Sequence, residues 1–218
     1  MHNGDRQPYT LPEGTVYGVL LNFSQERDLW AQRSEAKPYM APAQAPVLYI
    51  KTANTFNPSG GTVALPHDVP ALEIGATLGL IMGADGQAHA VAVFNDWSIP
   101  HDSYYRPPVR FKNGDGYLGV GDERLALHDW SQLAGLSLQV WVNDELVQTV
   151  AWSGMYRDAA TLVEEVSAFT QWCDGDVLLL GLDCLADGTR PLARAGDRVR
   201  ISGAHGLVLE QTVMGVSA

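Results

Sequence analysis

Two short apolar runs joined by a three-residue turn constrain the fold of this chain more than any other feature. Ala76–Met82 and residues 88–94 are rich in apolar side chains, and Ala84-Asp85-Gly86 between them is typical of a hairpin connection. Short apolar runs bounded by turn residues are typical of strands buried inside a sheet. The sequence therefore predicts an antiparallel pair buried in a β-rich core.

The rest of the chain repeats this pattern of short strands separated by turns. One clear helix is predicted over residues 158–172, where apolar side chains fall at helical spacing and Asp158 is placed to cap the N-terminus. Ser24 is placed to cap a shorter helix that ends at about Arg33. The pattern favours a mainly β or α+β domain that spans residues 1–218, with residues 1–15 as an N-terminal extension. Further strands are predicted at residues 16–21, 47–50, 63–65, 136–142, 146–150, 177–182, 199–202 and 207–213.

The balance of charge excludes several classes of partner. The chain carries 14 Lys and Arg against 25 Asp and Glu, a formal net charge of −11. Such a surface repels nucleic-acid phosphates and anionic membranes. The sequence has no apolar run long enough to span a bilayer and no apolar leader at its N-terminus, so we expect a cytoplasmic protein. Cys173 and Cys184 lack zinc-site spacing, and we expect them to be reduced thiols.

The segment 95–116 reverses the sign of the charge locally, within a longer stretch, 95–123, that we expect to be irregular. It carries Arg106, Arg110 and Lys112 within seven residues. An arginine fork binds carboxylates through two hydrogen bonds, and a lysine can stabilise an enolate or transfer a proton. The segment is therefore either part of a pocket for an anionic substrate or a solvated basic loop with tyrosines packed beneath it.

Asp96, which follows the second apolar run, is another candidate site residue. Its carboxylate is a suitable ligand for a hard divalent cation, or it caps a turn, as Asn-Asp pairs commonly do. The histidines are scattered, and the sequence contains no nucleophile elbow, phosphate-binding loop or dinucleotide fingerprint. A hydrolase with an activated serine is therefore unsupported.

Several short motifs occur in an order that resembles the fumarylacetoacetate hydrolase family across about residues 16–213. Within that family the resemblance is greatest to the N-terminal copy of two-copy members that isomerise and decarboxylate dicarboxylates in 4-hydroxyphenylacetate (homoprotocatechuate) catabolism. The motifs are Leu21-Asn22 with Asp28 and Trp30, Gly75-Ala76-Thr77, Asn95-Asp96 through Tyr105-Arg106-Pro107, and Lys112 with Asp115-Gly116.

The resemblance implies a mixed β-sandwich or β-roll and a set of site residues. The family's site holds Mg²⁺ or Mn²⁺ on a Glu-x-Glu pair and a later Asp, since residues i and i+2 of a strand face the same side. In this chain the later acid is Asp96, whereas the Glu pair falls on Gly75 and Thr77. A second family motif, a His-x-x-Glu dyad, falls on Glu26 and Leu29.

Glu73 lies two residues before the expected first glutamate and is either a surface acid or a displaced ligand. The remaining roles are carried over from the family. These roles make Lys112 and Asp96 the catalytic residues, and Asp96 is also the expected ligand of a bound cation. They make Tyr105, Arg106 and Lys51 the substrate-binding residues.

The implied function is the tautomerisation of 2-hydroxyhepta-2,4-diene-1,7-dioate, the decarboxylation of 5-carboxymethyl-2-oxo-hex-3-ene-1,6-dioate, or both. One alternative is a catalytically silent partner of a metal-bearing paralogous subunit. Another is a hydrolase of acylpyruvate-type substrates, against which the missing Glu pair and dyad count. We expect a homodimer or a heterodimer with a paralogous subunit.

Overall fold

The computed structural model describes residues 6–104 and 108–216, in which strands far outnumber helices. The longer helices are α1, Ser24–Glu35, and α4, Ala159–Ser167, and two single turns are α2, Val109–Lys112, and α3, Ser131–Ala134. The strands are Arg6–Pro8 (β1), Val16–Leu20 (β2), Val47–Lys51 (β3), Phe56–Pro58 (β4), Thr62–Leu65 (β5), Leu72–Glu73 (β6), Ala76–Met82 (β7), Ala88–Asp96 (β8), Leu118–Ala126 (β9), Ser137–Val142 (β10), Glu145–Ala151 (β11), Val177–Leu179 (β12), Leu192–Ala193 (β13), Arg198–Gly203 (β14) and Val208–Gly215 (β15).

Two mixed sheets form the body of the molecule. Over the described residues, the larger sheet runs β1-β9-β8-β7-β12-β2-β3, with β4 paired to β9, and the smaller runs β11-β10-β14-β15-β5. Most pairs are antiparallel, but β12–β2, β4–β9 and β15–β5 are parallel. A short pair, β13 with β6, lies beside them. The prediction of a mainly β, α+β fold with a mixed sheet is confirmed.

A shared hydrophobic core joins the two sheets. Leu78 and Val93 of the larger sheet and Val140 and Leu209 of the smaller sheet belong to one buried cluster and are at most 1% exposed. Trp97, which is fully buried, donates its indole N–H to the Gln211 side-chain carbonyl across the interface at 2.8 Å. The architecture is therefore a sandwich whose larger sheet carries β8 near its middle.

The central hairpin forms as predicted. Ala76–Met82 pairs antiparallel with β8, and all seven of its residues are buried. The strand β8 runs on to Asp96, beyond the predicted end at residue 94. The N-terminal extension predicted at residues 1–15 includes β1, which pairs with β9. We propose that the chain forms a single domain.

Three local predictions are wrong. Helix α4 ends at Ser167 rather than at residue 172, and Phe169 beyond it is 67% exposed. Phe23, not Ser24, is the N-cap of α1, and no side chain caps that end. The stretch 95–123 is more regular than expected, because it contains α2 and the first part of β9. Asp158, by contrast, caps α4 as predicted, accepting a hydrogen bond from the Thr161 amide at 2.8 Å.

Across the described ranges, no helix combines the length and the apolar character needed to cross a membrane.

Candidate functional site

Three charged side chains meet at the end of β8, sealed from solvent. Asp96 is 0% exposed, and Lys51 and Lys112 are each 1% exposed. Lys51 Nζ lies 2.9 Å from Asp96 Oδ1, and Lys112 Nζ lies 2.8 Å from Asp96 Oδ2. Tyr49 also donates its hydroxyl to Asp96 Oδ2. We call these four residues the Asp96 centre. A single carboxylate is thus held by two ammonium groups and a phenol.

Strand geometry explains why Tyr49 and Lys51 act together. They are residues i and i+2 of β3, so both side chains point to the same face of the sheet. Tyr49 lies opposite Gly18 of the neighbouring strand β2, and a Cβ at Gly18 would overlap the tyrosine ring. The glycine therefore leaves the space in which the phenol reaches across towards β8.

Lys112 reaches the centre from a single turn of helix. Its backbone N–H donates to the Pro108 carbonyl at 2.9 Å, and Ile99 N–H donates to the Phe111 carbonyl at 2.9 Å. The first bond closes the turn α2, and the second ties that turn to the segment that follows β8. The Lys112 ammonium lies 4.9 Å above the ring of Tyr49, a distance typical of a cation–π contact.

The two lysines differ in how many hydrogen-bonding positions are already used. Lys51 Nζ donates to the backbone carbonyl of Lys112 and to that of Tyr117 at 2.9 Å, besides its contact with Asp96. An ammonium has three N–H donors, and here two of them are hydrogen-bonded to backbone carbonyls while Asp96 Oδ1 lies within ion-pair distance. Lys112 Nζ has Asp96 as its hydrogen-bonded acceptor and the face of Tyr49 as a second contact. Among the described residues, the Lys112 ammonium thus contacts one oxygen, whereas three oxygens surround that of Lys51.

The pKa values follow from burial and from these contacts. Burial alone would raise the pKa of Asp96, but Lys112 and Lys51 outweigh it and hold that pKa well below its usual range. Burial lowers the pKa of Lys51 to about 8, against the opposing effect of Asp96. Burial and the charge of Asp96 raise the pKa of Tyr49 well above its usual value. Near neutral pH, Asp96 is therefore ionised and Tyr49 is a phenol that can only donate to it.

A second buried charged group lies beside the centre. Arg190, 8% exposed, donates to Glu26 Oε1, and its Nη1 donates to the Tyr104 hydroxyl at 3.3 Å. Tyr104 in turn donates to Glu26 at 3.3 Å, and Glu73 lies 3.8 Å from Arg190. Two carboxylates thus surround one guanidinium. Because that charge is already matched, Arg190 offers no surplus cation to an anionic ligand.

Of the two expectations for Glu73, that of a surface acid is wrong. Its side chain is 16% exposed and faces Arg190, so it is not a simple surface acid. Glu26, at the first position of the family's dyad, is 4% exposed and paired with the same arginine, whereas Leu29 at the second position is 48% exposed. A catalytic dyad cannot form from these two residues.

The residues of the centre do not fit a divalent cation of the kind the family carries. Asp96 is the single carboxylate of the centre, and both its oxygens face ammonium groups. A Cβ at Gly75 would overlap the Asp96 backbone carbonyl, and the Thr77 hydroxyl donates to the Gly181 carbonyl at 2.7 Å. Among the described residues, no cluster of three or more His, Cys, Asp or Glu side chains could hold a metal ion. Mg²⁺ and Mn²⁺ prefer several oxygen ligands, which this donor set lacks.

The structure brings some of the residues singled out from sequence together and leaves others apart. Asp96, Lys51 and Lys112 are in mutual contact. Lys112 is buried, so the solvated-loop alternative is wrong for it, whereas Arg110 is exposed. The Asp96 side chain caps no turn, because its carboxylate is engaged by Tyr49 and the two lysines. Tyr105 and Arg106, the other predicted substrate-binding residues, lie outside the described residues.

A cavity of about 600 Å³ adjoins the centre, a volume typical of small-molecule sites. Its wall is mostly apolar and includes Val47 and Ile50 of β3 and Val109 of α2, and Tyr49 and Tyr104 separate it from the buried charges. Another cavity, of about 520 Å³, is lined by Tyr9, His89 and Arg124 and includes no residue of the centre. The first cavity is therefore the one that adjoins the Asp96 centre, through Tyr49.

Sequence reasoning missed Tyr49, Tyr104 and Arg190. A signal existed for Tyr49, because the period of two along β3 places it on the same face as Lys51. No comparable signal existed for Arg190, which reaches Glu26 from 164 residues away along the chain.

Comparison with characterised sequences places the chain in a known group. It is 31% identical over 199 residues to the 4-hydroxyphenylacetate degradation bifunctional isomerase/decarboxylase of Escherichia coli, covering 87% of this chain and 44% of the relative. It is 30% identical over 212 residues to the Salmonella dublin protein of the same name, covering 93% of this chain and 47% of that one. The chain thus spans about half the length of the curated relatives it matches.

Solved structures share the fold at lower sequence identity. The 2-hydroxyhepta-2,4-diene-1,7-dioate isomerase of Mycobacterium marinum superposes with a TM-score of 0.73 at 20% identity, over 95% of this chain and 78% of that one. A 2-keto-3-deoxyarabinonate dehydratase gives a TM-score of 0.78 at 16% identity, over 98% and 77%. The model of the fumarylacetoacetate (FAA) hydrolase C-terminal domain matches residues 15–214. With the same sandwich and a match over nearly the whole chain, this protein belongs to the fumarylacetoacetate hydrolase family.

Proposed function

We propose that the chain tautomerises or decarboxylates linear unsaturated dicarboxylates. The candidate substrates are 2-hydroxyhepta-2,4-diene-1,7-dioate for tautomerisation and 5-carboxymethyl-2-oxo-hex-3-ene-1,6-dioate for decarboxylation. The curated relatives are isomerase/decarboxylases of 4-hydroxyphenylacetate degradation, which supports this substrate class. We further propose that the chain acts in the cytoplasm as a homodimer or as a heterodimer with a paralogous subunit.

One observation carries the proposal: the buried Lys112, which has one oxygen contact among the described residues, follows in sequence directly on residues near a ligand-sized cavity. Both reactions build negative charge on the oxygen at C2 of the substrate, as an enolate. A fixed cation in a water-excluded site stabilises such charge more strongly than it would in water. Lys112 has that environment, and Asp96 Oδ2 is its one hydrogen-bond acceptor among the described residues. We therefore assign Lys112 to the enolate oxygen.

The other members of the centre hold Lys112 in place. Asp96 anchors its ammonium at 2.8 Å, and Tyr49 lies beneath it. Three oxygens surround the Lys51 ammonium, so we assign it a positioning role through Asp96 rather than contact with substrate. Arg106 keeps its proposed role as the partner of a substrate carboxylate, because an arginine fork matches that group.

The test is the turnover of the dienoate by Lys112→Met. The substitution keeps the length of the side chain and leaves Asp96 paired with Lys51, so the fold should persist. We expect turnover to fall at least about 10²-fold, the usual scale of a proton-transfer or charge-stabilising contribution. The matched control is Lys37→Met, since Lys37 is exposed. Equal turnover in the wild type and in Lys112→Met would remove Lys112 from the reaction.

The second candidate function is a silent partner of a metal-bearing paralogue. The observation in its favour is that Gly75 and Thr77 stand where the family's metal-binding glutamates are expected, with no space at Gly75 for a side chain. Assaying the purified chain alone, with and without a chelator, separates the two candidates. Turnover that a chelator does not reduce supports the enzyme, and turnover that appears with a paralogous subunit and not without it supports the silent partner.

A further inference from the structure

The imidazole of His101 is held rigidly between the two buried charged groups. Its Nδ1 lies 2.9 Å from the Ile99 carbonyl oxygen. One face stacks on Phe111, with ring centroids 4.6 Å apart and planes 3° from parallel, and Tyr104 packs edge-on at 5.3 Å. Phe111 immediately precedes Lys112, and Tyr104 bonds to Glu26. The ring is therefore fixed in position and orientation beside the Asp96 centre.

These contacts also determine which nitrogen carries the proton. The Ile99 carbonyl can only accept a hydrogen bond, so Nδ1 is the protonated nitrogen and Nε2 carries the lone pair. His101 Nε2 is buried and, within the part of the chain that the structure describes, has no hydrogen-bond partner. Buried acceptors are almost always paired, and an unpaired one in a well-packed region is a candidate for a functional group. Nε2 is thus a base with a free lone pair.

The charges around His101 favour its neutral form. Burial lowers the pKa of His101, and Lys112 and Arg190 lower it further, against the raising effects of the Ile99 carbonyl and Glu73. Tyr104, the remaining titratable group that contacts the ring, has its pKa raised to about 12 by burial and stays a neutral phenol. The imidazole is therefore unprotonated at neutral pH.

None of the four residues of the Asp96 centre is available to accept a proton. Lys112 and Lys51 act as hydrogen-bond donors, to Asp96 and to the Tyr117 carbonyl. The Asp96 carboxylate, whose pKa is held well below its usual range, faces both lysines, and Tyr49 donates its hydroxyl to it. Tautomerisation requires one group to stabilise the oxygen and another to move the proton from oxygen to carbon. Lys112 supplies the first, and the second has to lie close to it.

We propose that Nε2 of His101 is the catalytic base that carries the proton during dienoate tautomerisation, an assignment that rests on the proposed function. Nε2 takes the proton of the 2-hydroxyl group. The O–H electron pair becomes the C2=O bond, the C2=C3 pair moves to C3=C4, and the C4=C5 pair takes the proton back from the imidazolium at C5. The enol is converted to the 2-oxo-3-ene with no net change in protons or electrons, while Lys112 holds the oxygen.

The test is His101→Asn in the full-length chain. The asparagine amide can still donate to the Ile99 carbonyl, as Nδ1–H does, but it has no basic nitrogen. We expect turnover of the dienoate to fall about 10²- to 10⁴-fold. In the wild type, turnover should fall on the acid side at a pH below the usual histidine range, and this acid limb should be absent from the pH profile of the variant. The matched control is His89→Asn, because His89 is exposed and paired with Asp85.

The outcomes separate this assignment from the proposed function. A wild-type chain with no turnover overturns both. Wild-type turnover that His101→Asn retains, with the same pH profile, overturns the His101 assignment alone. If the variant does not fold, ¹⁵N NMR of the wild-type imidazoles decides, with 2-oxoheptanedioate as the probe. The assignment requires the Nε2 resonance of His101 to be that of an unprotonated nitrogen and to shift on binding, and an unchanged resonance overturns it.

Discussion

Asp96 is the residue on which the buried charges of this protein depend. Its carboxylate is the counterion for both Lys51 and Lys112, and all three side chains are out of contact with water. Removing one partner of a buried ion pair leaves an uncompensated charge, which costs far more than the loss of an exposed pair. Here one substitution at Asp96 leaves two such charges.

We expect Asp96→Asn to lower the free energy of unfolding by about 3–5 kcal/mol at pH 7. The stabilisation by Asp96 is present above the pKa of an unfolded aspartate, about 3.9. It is lost as the pH falls towards the depressed folded-state value, because the unfolded chain then binds the extra proton. Urea titrations at pH 7 and pH 3 should therefore show a smaller difference between wild type and variant at pH 3. If the stability difference between wild type and variant is the same at pH 7 and at pH 3, the ionised Asp96 carboxylate is not the source of the stabilisation.

At the scale of an element, the entry to β7 determines what chemistry this sandwich can carry. Gly75 N–H donates to the Asn95 side-chain carbonyl at 2.9 Å, and the Gly75 carbonyl accepts from the Asp96 N–H at 2.8 Å. The backbones of the two segments are so close that a Cβ at Gly75 has no space. The close approach that excludes a metal-binding glutamate also positions Asp96.

We expect Gly75→Ala to destabilise the fold by about 1–3 kcal/mol, the usual cost of overpacking, and to lower dienoate turnover by displacing Asp96. The control is Gly135→Ala, at a position where the nearest atom to the added methyl lies 4.0 Å away. Urea unfolding of the two variants should differ clearly. A Gly75→Ala protein as stable as the control would show that the segments can separate at little cost.

The elements themselves were more predictable from sequence than the contacts between them. The ends of Ala76–Met82 are marked by local turn chemistry, as is the cap at Asp158, so both were predicted correctly. Phe169 was assigned to a helix because it fits the spacing, but α4 ends before it. The burial of Lys112 could not be predicted, because it depends on acceptors in β8 and packing against β3, both remote in sequence.

At the scale of the whole molecule, charge opposes the proposed substrate. The chain has a net charge of −11, and a linear dicarboxylate is a dianion. Long-range repulsion of this kind slows encounter and is screened by salt, with a Debye length of about 10 Å at 0.1 M. The cationic centre is buried and neutralised in part by Asp96, so it does little to offset the repulsion at a distance.

We therefore expect kcat/KM for the dienoate to rise as ionic strength is raised from about 0.01 to 0.2 M, through a lower KM. The measurement is a series of progress curves at constant pH in a salt that does not bind at the site. A neutral amide or ester of the substrate serves as the control and should show no such rise. A fall in kcat/KM with salt would mean that a cationic surface near the cavity dominates the encounter.

The burial of Lys51 and Lys112 has a practical consequence for labelling this protein. The chain contains only three lysines, and the third, Lys37, is exposed. An amine-reactive reagent applied to the folded protein should therefore modify one lysine side chain, at a position that does not line the cavity. Acylation at residues 51 and 112 would then report opening of the sandwich, residue by residue in a peptide map, without any engineered probe.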